Sequence, residues 1–208
     1  METAKEQTEI ADIVTSSDDY ASRFNGAAGT WMLNVQRDLL LELISSMKKA
    51  TVLDVGGGHA QTSIPLMNNG WDVTVAGSAP RCVIRLQPYV ALNRIGFRSC
   101  NLLQMPFADK SHDVVVSVRF LAHCAAWTVF IREICRIARD AVIIDYPAIT
   151  SINCFTPMMF AFKRRVEGNT RTYHLFRHSE LDREFEKNGY ILFQRKAQFF
   201  LPMVFHRM

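Results

Sequence analysis

Three consecutive glycines, Gly56-Gly57-Gly58, follow the apolar run Thr51-Val52-Leu53-Asp54-Val55 and lead straight into a stretch that suits a helix. A buried strand that stops at residues without a Cβ and turns at once into a helix lets the backbone come close to a ligand. That arrangement binds nucleotide-like cofactors at the carboxyl edge of a parallel sheet. Asp54 adds a second requirement. A carboxylate ending an apolar strand needs hydrogen-bond donors or a cationic ligand to offset its desolvation, and an ammonium or a sulfonium group would serve. A tight turn that holds no ligand is the alternative for the glycines taken alone.

Other side chains suited to moving protons or holding anions come after later strands. His123 stands where a general base or an acceptor-binding residue would reach the rim of such a cleft, and a histidine that bonds a neighbouring loop is its plainer alternative. His59 lies in the loop itself and reads as a supporting residue rather than a base. Arg119, two residues after Ser117, suits a carboxylate on a cofactor or an acceptor. Tyr146, together with Tyr20 and Phe24, could line or close a pocket. Further on, Phe155, Met158, Met159, Phe160 and Phe162 precede Lys163-Arg164-Arg165, then Arg171, His174, Arg177 and His178. An apolar run ending in a basic cluster suits an acceptor with a hydrophobic body and an anionic group, or an anionic membrane face. Tyr146, Arg164, Arg171 and His174 are therefore the candidate acceptor contacts, against ordinary amphipathic packing with solvated charges.

The elements that must position these groups alternate. Apolar positions three and four apart from Trp31 to Met47 predict an amphipathic helix, after a polar, loosely helical opening from Met1 to Ser17. Strands are predicted at Thr51–Val55, Asp72–Ala76, Phe97–Cys100, His112–Val118 and Ala141–Asp145. Helices are predicted at His59–Asn69, from Pro80 to about Asn93 with Pro88 as an interior irregularity, and at Trp127–Ala138. This order is that of a parallel sheet covered on both faces, with right-handed crossovers. A helix from Ser179 to Lys187 and two runs, Tyr190–Gln194 and Phe199–His206, read as a closing antiparallel pair, with Pro202 awkward inside the last. The expected fold is a Rossmann-like three-layer α/β sandwich with a seven-stranded, mostly parallel sheet whose last strand is antiparallel. One domain fills residues 1–208, with a helical cap to 50, a cofactor core at 51–145, a variable insert at 146–180 and the closing elements after it.

The bulk composition agrees. The 208 residues are 49% hydrophobic and 21% charged, as expected of a globular domain with one core. Fourteen Phe and nine Met hint at an apolar cavity besides the core, although denser core packing explains them too. Five scattered cysteines form no C-x-x-C pair, so no disulfide framework, zinc site or iron–sulfur triplet is indicated. No run approaches the roughly 18 apolar residues of a membrane span, and the acidic N-terminus is not a signal peptide, so a cytoplasmic protein is expected. The net charge of +4 is carried by the stretch after Ser151, while the rest of the chain is close to neutral. A basic surface and an anion-recognising one remain open there.

The pattern Val52-Leu53-Asp54-Val55-Gly56-Gly57-Gly58, then Asn101, Met105-Pro106-Phe107-Ala108-Asp109-Lys110-Ser111-His112-Asp113-Val114-Val115-Val116-Ser117, His123 and Glu133-Ile134-Cys135-Arg136-Ile137-Ala138-Arg139, resembles the class I S-adenosylmethionine-dependent methyltransferases of the ubiquinone/menaquinone-biosynthesis-like type. The match runs from about Thr51 to Asp145. The resemblance implies that Asp54 and Gly56 to Gly58 hold the methionine part of S-adenosylmethionine, that Gly77 and Ser78 meet the ribose, and that Asn101 and Leu102 flank adenine. Two positions depart from the family, which usually carries an acidic residue at the end of strand two and another just after strand three. Gly77 and Asn101 stand there instead. Asn101 can accept from an adenine amino group through its amide oxygen. Gly77 has nothing with which to grip ribose hydroxyls, so Ser78 or a water must.

Two other readings compete. Ser78 and Arg81 after strand two could hold the 2′-phosphate of NADP in an oxidoreductase, but Gln61 replaces the third fingerprint glycine and Asp54 would face a pyrophosphate unfavourably. A non-catalytic cofactor-binding or assembly domain is the second. A nucleic-acid acceptor is disfavoured, because Ser117-Val118-Arg119-Phe120 lacks the Asn/Asp-Pro-Pro-aromatic signature of many base-amino methyltransferases and no RNA-binding module is appended. A small molecule is the expected acceptor.

Overall fold

The computed structural model describes residues 9–48, 50–149 and 173–198. Its frame is one parallel sheet of five strands: β1 (Thr51–Val55), β2 (Asp72–Gly77), β3 (Gly96–Ser99), β4 (His112–Ser117) and β5 (Ala138–Ile144), in the order β3-β2-β1-β4-β5. Every pairing is parallel, for example Val55 beside Ala76 and Leu53 beside Val115. The chain winds outward from β1 to β3 and then restarts at β4 on the other side. The strand order therefore reverses between β1 and β4, and a crevice opens at their carboxyl ends.

The sheet is covered on both faces because neighbours along β1 and β4 alternate in direction. Val52, Val114 and Val116 pack against Leu40 and Ile44 of α3 (Gly26–Ile44) and Leu66 of α4 (Ser63–Asn68). Leu53, Val55 and Val115 pack against Phe130, Ile131 and Ile134 of α6 (Trp127–Ile137) and Leu181 of α7 (His178–Lys187). Asp54 shares the face of Val52, which points it at the start of α4. No helix among the described residues is long and apolar enough to cross a membrane.

Several expected boundaries move, each for a physical reason. α3 starts at Gly26, ahead of Trp31, because Gly29 lets its first turn settle on the preceding chain: a Cβ there would lie 2.2 Å from the Phe24 carbonyl oxygen. The stretch after Pro80 is not one helix but 3-10 turns from Pro80 to Leu86 followed by α5 (Gln87–Ala91). Pro88 cannot sit inside a helix, having no N–H to give, and so occupies the first turn of a new one. The helix expected from His59 is likewise a 3-10 turn at Gly57–His59 and then α4. β5 begins at Ala138, directly at the end of α6.

The closing pair is not seen. Tyr190–Gln194 joins no strand, and Ile191 and Phe193, 85% and 84% exposed, have no sheet to cover. Its expected partner, Phe199–His206, lies outside the described residues, as does most of the insert. The described part of the N-terminal segment, expected to be loosely helical, is helical in part and docked. Two short helices, α1 (Ala11–Thr15) and α2 (Asp18–Ser22), bury Asp12, Thr15, Ser16, Tyr20 and Phe24 over the carboxyl edge of the sheet.

Candidate cofactor site

The glycine loop is built on Asp54. Its carboxylate is wholly buried, and Oδ2 accepts from the Thr62 hydroxyl at 2.6 Å and the Ser63 hydroxyl at 2.5 Å. Burial pushes this carboxyl above the usual range, and the two hydroxyls pull it partly back. Asp54 thus ties the end of β1 to the start of α4 beneath the loop, and of the two means of offsetting its desolvation, hydrogen-bond donors or a cation, the hydroxyls supply the first. Gly57 lies directly over it, for a Cβ there would be 2.2 Å from Oδ2. Gly56 takes a left-handed φ of 75° while its N–H donates to the Ala76 carbonyl at 2.8 Å, so the loop is locked to β2 as it turns. The second carboxylate oxygen, Oδ1, is buried without a hydrogen-bond partner. A donor from a bound ammonium group is the kind of contact it lacks.

Across the crevice, the ends of β2 and β3 form a second wall. Gly77 has no room for a side chain: a Cβ would stand 2.8 Å from Cys82 Cβ and 3.1 Å from the Phe97 ring. Ser78, the next residue, donates through its N–H at 2.7 Å and its hydroxyl at 2.5 Å to the carboxylate of Asp12. Asn101 turns its amide oxygen onto the Leu103 N–H at 3.0 Å, so the acceptor meant for adenine already caps its own loop. Leu102 is fully buried beside it. That loop is fixed from below by α6: the Glu133 carboxylate accepts from the Met105 N–H at 2.6 Å, and Arg136 donates to the Phe107 carbonyl at 2.8 Å and to Glu133 and Asp109. The Glu133-Ile134-Cys135-Arg136 motif is therefore a clamp on the wall, one helical turn bringing its acid and base together.

The ends of β4 and β5 gather a polar cluster that sequence reading saw only in part. Arg119 sits at φ 63°, a strained conformation for a bulky residue, and its N–H donates to Asp145 at 2.6 Å. Its guanidinium lies over the Phe24 ring, 4.2 Å from the centroid, and donates to Gln36 of α3. Gln36 also receives the Gln61 amide at 3.1 Å. Burial pushes the Asp145 carboxyl up, opposed by Arg119. His123 stacks on Tyr173 at 5.6 Å, and burial, with help from Asp145 and Tyr20, pushes the Tyr173 phenol up to about 12. Arg119, Asp145, Tyr173 and His123 are thus linked in one neighbourhood.

His59 is flanked edge-on by Tyr20 and Phe24, each at 5.6 Å, and neither ring nitrogen has a hydrogen-bond partner. Burial, then Arg119 and Arg85, lower it to about 4, so it is neutral at pH 7. It borders a cavity of about 310 Å³ walled by Phe24 and Leu33, with Arg85 and Asp18 at its edge.

Two of the candidate acceptor residues fall elsewhere. The Tyr146 hydroxyl meets His178 Nδ1 at 2.8 Å and Arg195 Nε at 2.7 Å, and His174 stacks on Phe176 at 4.5 Å and Trp127 at 5.9 Å. Both are taken up by an aromatic cluster that joins α6 to α7. Arg164 and Arg171 lie outside the described residues. The missed residues, Asp12, Ser16, Gln36 and Tyr173, are polar or isolated in sequence and carry no motif; only their docking onto the sheet edge reveals them. The NADP reading loses its anchor here. Ser78 already faces a carboxylate, which would repel a 2′-phosphate, and Arg81 is exposed.

The sequence from residue 53 to 144 matches the family described as "Methyltransferase domain". No curated protein matches the chain. Among solved structures, magnesium protoporphyrin IX methyltransferase from Synechocystis PCC 6803, with bound S-adenosylhomocysteine, aligns at 16% identity and TM-score 0.66 over 86% of this chain and 88% of that one. A chain of the complex between the Haloferax volcanii Trm112 methyltransferase activator and a methyltransferase aligns at 17% identity and TM-score 0.67, over 94% and 83%. Phosphoethanolamine N-methyltransferase 2 from Haemonchus contortus, bound to phosphomonomethylethanolamine and S-adenosylhomocysteine, aligns at 18% identity and TM-score 0.61, over 75% of this chain and 37% of its own. These likenesses carry the fold. The family match covers residues 53–144, and that segment carries the glycine loop, the Asp54 strut and the Glu133–Arg136 clamp of the crevice.

Proposed function

We propose that the chain methylates a small molecule with an apolar body and an anionic group, which binds beside the glycine loop. The observation that carries this reading is the cavity at His59. Phe24, Leu33 and Ala21 give it an apolar side, Ser22, Asn25 and the Arg85–Asp18 ion pair a polar one, and it adjoins the loop through His59, a residue of the loop's own turn. The structural neighbours from Synechocystis and Haemonchus are named for small molecules, which supports the same class of acceptor.

The cofactor supplies an electrophilic methyl on a sulfonium. The protein's part is to hold and orient. Gly56 to Gly58 and the free oxygen of Asp54 would receive the methionine part, Arg119 its carboxylate, Gly77 and Ser78 the ribose side, and Leu102 with Asn101 the adenine. Arg85 would exchange its ion pair with Asp18 for the acceptor's anion, and neutral His59 would offer that anion a hydrogen bond. His123, on the rim beside Tyr173, would take the proton of a hydroxyl or thiol acceptor. Tyr146 and His174 do not line this cavity, and Arg164 and Arg171 lie outside the described residues.

The test is transfer of a labelled methyl from S-adenosylmethionine to matched pairs of small acceptors, one anionic and one neutral. The anionic member is expected to win by at least about tenfold in kcat/KM, and Arg85→Ala to erase the difference mainly through KM. Equal use of both members, or transfer only to nucleic acid, would overturn it.

A further inference from the structure

Strand β2 carries no acid at its end and has no space for one, since even a methyl at Gly77 would press on Cys82 and Phe97. A carboxylate nevertheless stands at that end of the strand. It belongs to Asp12, which lies 66 residues away in sequence and is delivered by α1. Asp12 is 1% exposed, and the groups that donate to its carboxylate are neutral: the N–H and hydroxyl of Ser78 and, at 3.3 Å, the Cys82 thiol. The same short helix continues into Ser16, whose hydroxyl would lie 2.1 Å from a Cβ at Gly58, so the carboxylate and the glycine loop share one wall. Glu9, at its other end, accepts from the Ala126 N–H at 2.9 Å and ties the helix to the loop before α6.

We propose that Asp12 is the ribose-binding carboxylate of this site, brought by the N-terminal helix in place of the strand. This rests on S-adenosylmethionine being the cofactor. A carboxylate that accepts from two vicinal hydroxyls is the usual means by which a protein of this topology holds ribose. An ionised carboxylate offers about four acceptor positions, and Asp12 uses three. The Ser78 hydroxyl on Oδ1 stands in for a sugar hydroxyl and leaves by a single rotation about its side chain. The backbone N–H on Oδ2 stays and orients the group.

The experiment compares S-adenosylhomocysteine with its 2′,3′-dideoxyribose counterpart by calorimetry, in the wild-type chain and in Asp12→Asn. The wild type is expected to prefer the ribose ligand by at least about 30-fold, and Asp12→Asn to reduce that preference to within about threefold by weakening only the ribose ligand. Equal weakening of both ligands would mean that Asp12 merely props Ser78, and tighter binding by the variant would mean that α1 blocks the site; either overturns the proposal. If Asp12→Asn does not fold, a wild-type preference within threefold overturns it alone. A wild type that binds neither ligand removes the cofactor reading itself, which is a different result from binding both equally.

Discussion

Substituting Gly57 with alanine sets a new methyl against the one carboxylate that cannot yield. The ideal Cβ position is 2.2 Å from Asp54 Oδ2 and 2.3 Å from its Cγ, more than an ångström inside a comfortable contact of about 3.5 Å. Asp54 is buried and held by Thr62 and Ser63 at 2.6 and 2.5 Å, so moving it sacrifices two hydrogen bonds, each worth about 1 kcal/mol. Overpacking adds about 1–3 kcal/mol, and the smaller entropy of an unfolded alanine returns a few tenths to one. A net loss of about 3 kcal/mol is expected for Gly57→Ala. The cause is specific, so it can be isolated by a double-mutant cycle with Asp54→Ala, read by urea denaturation. In the Asp54→Ala background, where the carboxylate is gone, the same alanine should cost less than about 1 kcal/mol, a coupling near 2 kcal/mol. Additivity within about 0.5 kcal/mol would refute the argument that Asp54 is the strut beneath the loop.

Other outcomes follow from the same geometry. His59 is neutral in the fold with its pKa lowered to about 4, while the unfolded chain takes up its proton near 6.5. Stability should therefore fall as pH drops from 6.5 toward 4, by up to about 2 kcal/mol between pH 7 and 5, and His59→Gln should flatten that slope. Asp54, raised by burial, works in the opposite sense and is common to both proteins, so an unchanged slope in the variant would sink the assignment. Glu133→Ala removes the acceptor of the Met105 N–H and the partner of Arg136, and urea melts should show a loss of about 2–4 kcal/mol with weaker S-adenosylhomocysteine binding. If affinity is untouched, the clamp does not shape the adenine wall. Arg119→Gly should relieve the strained φ of 63° yet lose S-adenosylhomocysteine affinity by roughly tenfold, stability and binding moving apart. A variant that binds as well as the wild type would remove Arg119 from the cofactor's carboxylate.

The parts of this protein that were legible in its sequence are those whose surroundings are uniform. β1 and β4 are buried on both faces, so Val52, Leu53, Val114, Val115 and Val116 appear as unbroken apolar runs, and the glycines between β1 and α4 mark the turn in plain view. Asp54 was visible as a buried carboxylate, but its hydroxyl partners eight and nine residues on were not, because they meet it only once α4 folds back on the strand. Asp12 and Ser16 were hidden more thoroughly. They lie in a polar opening with no period, and their burial comes from docking on the edge of the sheet rather than from any pattern of their own. Gln36 lies on the same face of α3 as the buried Met32, Leu40 and Ile44, four residues apart, where in sequence it reads as a polar break in an apolar stripe rather than as part of a site. The packing of Tyr146 and His174 on Phe176 was not legible, because an aromatic residue reads alike in sequence whether it faces the crevice or another ring.

The central claim is that the crevice takes S-adenosylmethionine, and the direct measurement is calorimetric titration of the wild-type chain with S-adenosylhomocysteine and, separately, with NADPH. Binding of one S-adenosylhomocysteine per chain with a dissociation constant on the order of micromolar, and none of NADPH, is the expected result. A folded chain that ignores S-adenosylhomocysteine at millimolar concentration, or that binds NADPH instead, would contradict the account.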